Sequence, residues 1–212
     1  MTQEQWGGVS GGNPSHLKGE KKPVETVSWH DCQEFIAKLN KSCPGLFAAL
    51  PTEAQWEYAC RAGQASAFND GSECTEPDGK DPALVELAWF DENSESETHV
   101  VKGKRCNGWG LYDMHGNVWE WCRDGRRDYE EGAVDNPVGP EAAAANRVAR
   151  SGAWSSVARE VFLGREGLGV AELLQTRSGW WWFTGAGWVG ARDLALASGG
   201  QGGSLLPPWG WG

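Results

Sequence analysis

No cysteine follows Cys122 in this chain of 212 residues, and no Lys, Asn, Tyr or Cys occurs after residue 149. The six cysteines, at 32, 43, 60, 74, 106 and 122, include no Cys-x-x-Cys pair, which argues against a zinc ribbon or a thioredoxin-type motif. Positive charge is scarce. Lys and Arg number 19 against 29 Asp and Glu, a net charge of −10, so the clustered basic surface that nucleic-acid phosphates require is not expected. No run of about 18 apolar residues exists, and no membrane span is expected. Met1-Thr-Gln-Glu-Gln-Trp6 carries neither a basic n-region nor an apolar h-region. No secretory signal is expected at this end, and a chain begun further upstream would leave export, and so localisation, open. Repeats at solenoid spacing are absent.

What is present in excess is tryptophan, 14 residues, and glycine, 30, both above ordinary usage. Hydrophobic residues make up 40%, enough for a sizeable core in one large domain or two small ones. Thr2 to Gly19 reads as a turn-rich loop after a short element. Pro23-Val-Glu-Thr-Val27 alternates and predicts a strand leading into a helix. Ser28 is a suitable N-cap with Asp31 completing a capping box. Trp29, Cys32, Phe35, Ile36 and Leu39 then recur at helical spacing, predicting an amphipathic helix over 29–40. A second helix starts after Thr52, with Gln55 completing its box, a buried stripe of Trp56, Ala59 and Cys60, and Gly63 as the stop. Cys32 and Cys60 therefore read first as buried free thiols and second as disulfide partners. Residues 64–82 read as an acidic loop, 123–131 as a charged loop, and Arg147 to Trp154 as a strand. Two capped helices followed by short irregular pieces predict an α+β fold, not a βαβ array.

The segment Gly110-Leu-Tyr-Asp-Met-His-Gly-Asn-Val-Trp-Glu-Trp-Cys122 fits neither an amphipathic helix nor an alternating strand. Asp113 and Glu120 are hard oxygen donors, and glycines bend the chain between them so that carbonyls are presented. That donor set suits calcium, which takes six to eight oxygens from carboxylates and main chain. The alternative reading is a tight turn whose two tryptophans fill a core.

Composition changes at about residue 150. Residues 150–212 hold seven of the tryptophans and fourteen of the glycines, and five Arg stand there against four acids. Ser178-Gly-Trp-Trp-Trp-Phe183 and Pro207-Pro-Trp-Gly-Trp-Gly212 are the extremes.

Pro23 to Asp31, Leu50-Pro-Thr-Glu-Ala-Gln-Trp-Glu-Tyr-Ala-Cys-Arg-Ala-Gly63, the 110–122 segment and Arg147-Val-Ala-Arg-Ser-Gly-Ala-Trp154 together resemble the formylglycine-generating enzyme (sulfatase-modifying factor) family, in order and spacing. The resemblance covers roughly residues 2–160. It implies a C-type-lectin-like α+β fold with two helices, short strands and much irregular loop. It divides the chain into a scaffold over 1–160 and a divergent Gly/Trp-rich C-terminal part over 161–212. The family's structural calcium site carries over onto the Asp113 side chain, the Gly116 and Val118 carbonyls and the Glu120 carboxylate. The catalytic site does not carry over. Family oxidases hold Cu(I) on two thiolates, which suits that soft ion; the matching positions here are Ser156 and Val161, so no copper is expected. His16, His30, His99 and His115 lack the three-histidine iron spacing of the related sulfoxide synthases, and His115 reads as a turn residue.

Two functions follow from the resemblance, and the composition of the last third adds a third reading. Some members are variable proteins of diversity-generating retroelements, which present a variable C-terminal surface on a rigid scaffold. The layout here is similar, and the lack of Lys, Asn and Tyr codons fits adenine-targeted change, as it also fits a GC-rich gene. This reading makes the chain a non-catalytic binder of a protein or small-molecule ligand, with candidate contacts Trp154, Ser155, Ser156, Arg159, Arg165, Trp180, Trp181, Trp182 and Trp188, types that include binding hot-spot residues. The second is a formylglycine-generating oxidase that modifies a sulfatase cysteine. The third is a reading-frame shift near residue 160 that leaves a truncated scaffold without activity.

Overall fold

Each α-helix of the computed structural model, which describes residues 1–127, 129, 136–140 and 147–161, opens on a side chain that accepts the first-turn N–H groups. Such N–H groups have no partner within the helix, and each cap contributes about 1 kcal/mol. Helix α1 is Gln3–Ser10, capped by Thr2 with Gln5 reaching back. Helix α2 is Trp29–Ser42, capped by Ser28 with Asp31. Helix α3 is Glu53–Arg61, capped by Thr52 with Gln55. Helix α4 is Pro82–Leu87, with Asp81 accepting from Ala83 and Leu84 and Pro82 at the first helical position.

Helices α2 and α3 stand where their capping boxes and apolar stripes place them. Helix α3 ends one residue earlier than its glycine suggests: Ala62 already turns left-handed at φ 47°, and Gly63 follows at φ 89°. Helix α1 corrects the reading of Thr2 to Gly19 as loop. Its capping box was in the sequence, but Gly7 and Gly8 lower helix propensity enough to hide it. Helix α4 was hidden by its length, too short to show a period. Residues 23–27 form no strand beyond an isolated bridge from Pro23 to Thr2. Thr26 sits at φ 62°, which breaks the pleat and lets Val24 and Val27 both face the core.

Strand β1, Glu120–Gly125, pairs antiparallel with β2, Arg147–Arg150, matching Glu120 with Arg150 and Trp121 with Ala149. The start of the expected charged loop is therefore strand. The expected 147–154 strand stops at Arg150, because Ser151 and Gly152 turn left-handed at φ 84° and 80°. Two strands alone are marginal in water, so side-chain packing must hold this fold. Trp6 stacks on Phe35 at 4.6 Å, tying α1 to α2, and Trp119, Trp121 and Leu50 close that cluster. Phe68, Leu84, Leu87, Phe90, Ala158 and Val161 form a second cluster. Trp56, Cys60, Met114, Cys122 and Val148 form a third beneath the sheet. All six cysteines are free, with Cys32, Cys60 and Cys122 buried. No helix among the described residues is long and apolar enough to cross a membrane.

The irregular middle of the chain is pinned where Gly116 bridges Trp89 in parallel. A Cβ on Gly116 would lie 2.2 Å from the Trp89 carbonyl oxygen, and its φ is +73°, so two separate constraints demand glycine. Gly116→Ala is expected to lower stability by roughly 3 kcal/mol in urea unfolding, from overpacking plus left-handed strain. Gly8→Ala, whose Cβ meets nothing within 4 Å, should instead raise it by about 0.5–1 kcal/mol through helix propensity.

Candidate metal centre and binding face

Residues 113–120 are carried into the interior by two left-handed residues besides glycine, Asp113 at φ 54° and Asn117 at φ 62°. Asp and Asn are the non-glycine types that visit this region most readily. The turn they make brings main-chain oxygens inward. The Ser151 hydroxyl lies 3.3 Å from the Asp113 carbonyl and 3.1 Å from the Gly116 carbonyl, so these two carbonyls converge. Val118 and Glu120 are both buried, at 4% and 7% exposure.

The Asp113 carboxylate accepts the Lys102 N–H at 2.8 Å and faces the Asn117 amide at 3.4 Å. The Glu120 carboxylate accepts the Trp56 indole N–H at 2.6 Å. Burial pushes both acids upward, Glu120 to about 7, and the charge of Asp113 adds to the rise at Glu120. The Met1 amine draws both acids the other way, its own value pushed down to about 4 by burial. A buried acid raised further by a neighbouring carboxylate, as Glu120 is by the half-buried Asp113, marks a place short of positive charge. Among the described residues no three His, Cys, Asp or Glu side chains form a metal-holding group. A cation here would depend on main-chain oxygens as well as the two carboxylates, a donor set that fits calcium and not a soft metal. The two tryptophans flanking Glu120 meanwhile fill the main core, so the core-filling reading of those side chains also holds.

His115 is buried with both ring nitrogens engaged: Nε2 accepts the Asn69 N–H at 3.3 Å, and Nδ1 lies 3.0 Å from the Val161 carbonyl. A carbonyl only accepts, so Nδ1 carries the proton. Burial pushes this imidazole down to about 4.

Of the proposed ligand contacts, four lie among the described residues, Trp154, Ser155 and Ser156 at the turn after β2 and Arg159 in the short 3-10 helix Ala158–Glu160. Trp154 is half-buried, Ser155 exposed, Ser156 buried at 3%, and Arg159 exposed. Ser156 Oγ accepts the Ala153 N–H at 3.2 Å, closing the turn from inside. Arg159 pairs with Asp78 and donates its main-chain N–H to Pro77. The Trp154 indole N–H is buried without a hydrogen-bond partner among the described residues, a state that costs about 1–3 kcal/mol. Val161, at 1% exposure, packs with Phe68 and the α4 leucines. Arg165, Trp180, Trp181, Trp182 and Trp188 lie outside the described residues, as does nearly all of the expected 161–212 part.

Sequence reasoning missed two anchors of this region. Arg150, 4% exposed, reaches Glu57 at 3.1 Å and Glu53 at 3.7 Å, and its guanidinium lies 5.6 Å from the Trp56 ring. It therefore holds α3, and with it the indole that Glu120 uses. Asn117, 1% exposed, ties its own segment to the 88–99 loop and to the turn after β2, and only its place beside a glycine hinted at that work.

The shifts at Glu120 and His115 predict opposite pH dependences. Glu120 rises from 4.5 to about 7, so the folded state holds its proton more tightly. Its contribution is complete below pH 4.5 and is lost as pH climbs through 7. His115 falls from 6.5 to about 4, so its contribution is present above pH 6.5 and is lost as pH drops through 4. In chelator-treated protein the two slopes oppose one another. Glu120→Gln should leave the His115 slope alone, so that the urea midpoint rises steadily between those two pH limits; a profile identical to the wild type would refute the assignment.

The family model described as "Sulfatase-modifying factor enzyme 1-like domain" matches residues 1–177. The formylglycine-generating enzyme of Streptomyces coelicolor is 37% identical over 151 residues, 68% of this chain and 43% of that one. Among solved structures, Treponema denticola variable protein 1 superposes with a TM-score of 0.65 at 31% identity, covering 80% of this chain and 76% of that one. PvdO from Pseudomonas aeruginosa superposes at 0.64 and 27% identity, covering 80% and 63%. The chain spans about half the length of the curated relatives it matches. The two solved structures share the architecture described above, and the chain belongs to the sulfatase-modifying factor enzyme 1-like domain family.

Proposed function

We propose that this chain is a non-catalytic ligand-binding protein built on the family scaffold, with a structural calcium ion held by Asp113, Gly116, Val118 and Glu120 and a binding face that includes the Trp154–Arg159 turn. The observation that carries the first part is the fate of the two positions where the resemblance places copper-binding cysteines. One is Ser156, whose hydroxyl is spent inside a turn; the other is Val161, whose side chain is core. A hydroxyl and an isopropyl group offer no thiolate to a soft ion. The free thiols nearest the sheet, Cys60 and Cys122, are fully buried and pushed far above the ordinary thiol range by desolvation, so they stay protonated and unreactive.

The binding face draws on three features. The Trp154 indole donor has no hydrogen-bond partner among the described residues. Ser155 and Arg159 are exposed beside it. The likeness to a variable protein supports a display role, and the amino-acid bias after residue 149 supports retroelement diversification of that display. Fold does not fix the ligand.

The oxidase reading is favoured by one observation, the 37% identity to a formylglycine-generating enzyme. The two readings part on one assay. The full chain, supplied with copper(I) and oxygen, is incubated with a peptide carrying a sulfatase-type cysteine, and mass spectrometry follows aldehyde formation. No aldehyde above the protein-free control is expected. Turnover that disappears in Cys60→Ser or Cys122→Ser would overturn the binding proposal.

A further inference from the structure

Hydrogen bonds around Asn117 close a circuit that joins the carboxylate turn to the exposed turn at Trp154. The Asn117 side-chain oxygen accepts the His99 N–H at 3.1 Å, and its amide nitrogen donates to the His99 carbonyl at 3.2 Å. The His99 ring nitrogen Nε2 lies 2.7 Å from the Ser94 carbonyl. Ser94, fully buried, donates its hydroxyl to the Trp154 carbonyl at 2.7 Å. Trp154 returns its N–H to the Asn117 carbonyl at 2.9 Å. The circuit is anchored on both sides. Asn117 gives its main-chain N–H to Trp89 at 2.7 Å and its amide faces Asp113 at 3.4 Å, while the Trp89 ring stacks on His99 at 3.7 Å.

We propose that Asn117 is a positioning residue that locks the Trp154 turn to the 113–120 segment, so that order at the carboxylates is passed to the binding face. This rests on the proposed function for what the Trp154 turn does, though the lock itself stands on the bonds just given. Both the carbonyl and the N–H of Trp154 are held by this circuit, which leaves the exposed Ser155 as the free part of the turn. From a left-handed backbone, the asparagine side chain offers an acceptor to the N–H and a donor to the carbonyl of one residue, His99. Aspartate keeps the acceptor and loses the donor; glycine keeps the backbone and loses both. Coupling of this kind is reciprocal: a ligand that orders the Trp154 turn would also favour a cation at Asp113.

Hydrogen–deuterium exchange on the full chain, with and without calcium, tests the lock. Asn117→Gly should speed exchange at the His99 and Trp154 amides roughly tenfold or more while α2 exchanges as in the wild type. Calcium should no longer slow the Trp154 amide in this variant. Lost calcium protection at Trp154 with α2 unchanged is a pattern that a general loss of stability would not produce. If the glycine variant does not fold, Asn117→Asp decides, since it keeps the His99 acceptor and must still speed the Trp154 amide. Unchanged exchange at Trp154, or acceleration that extends equally into α2, overturns the proposal. A wild-type chain that takes up no calcium would defeat the cation reading instead, and the calcium-free comparison of the same amides would still judge the lock.

Discussion

The close pass of Gly116 and Asn117 beneath the Trp89 carbonyl is the constraint on which the rest of this molecule depends. The described sheet has two strands, and four short helices cannot cover its loops, so most of the chain lacks a ladder of its own. At this one crossing, the 88–99 loop, the 113–120 segment and the turn after β2 exchange main-chain hydrogen bonds. Buried backbone groups need partners, and here irregular segments serve one another. The absence of a side chain at Gly116 makes the approach possible, and the two-sided amide of Asn117 fixes its direction.

Charge is buried at the same place. Arg150 draws Glu53 and Glu57 of α3 onto the sheet, which seats Trp56 over Glu120. Asp124 accepts the Glu53 N–H at the start of α3 and the Gly139 N–H from the loop beyond β1. These carboxylates have hydrogen-bond donors arranged around them. Asp113 and Glu120 differ in that desolvation raises both and the charge of Asp113 adds to the rise at Glu120, and burial without a compensating cation costs several kcal/mol per ion. A bound calcium would convert that cost into the attachment of a long loop, a structural role that needs no redox chemistry and leaves the Trp154 turn open to a ligand.

Much of this was legible in the chain itself, for identifiable reasons. Helices α2 and α3 announce themselves through a capping box followed by an apolar stripe, and both signals are local. Helix α1 carries the same box, but two glycines weaken the stripe. The strand predicted at 23–27 fails because alternation cannot report the left-handed turn at Thr26. The fold type followed from motifs in a fixed order, and the family match agrees with it. What could not be read were the functions of side chains whose partners lie far along the chain. Arg150 looks like one more strand residue until its partners on α3, more than ninety positions away, are known. Asn117 looks like a turn residue until His99 and Trp154 are in place. Ser156, chosen as a contact from its neighbourhood, turns inward because a serine after a left-handed pair can close the turn on itself.

The account as a whole stands on oxygen donors at 113–120 holding a hard cation. The most direct test is thermal melting of the full chain in chelator and in millimolar calcium, alongside Glu120→Ala. A calcium-dependent rise in the wild-type melting temperature that vanishes in the variant is the predicted result. Equal melting temperatures in chelator and calcium for the wild type, or an undiminished rise in Glu120→Ala, would contradict it.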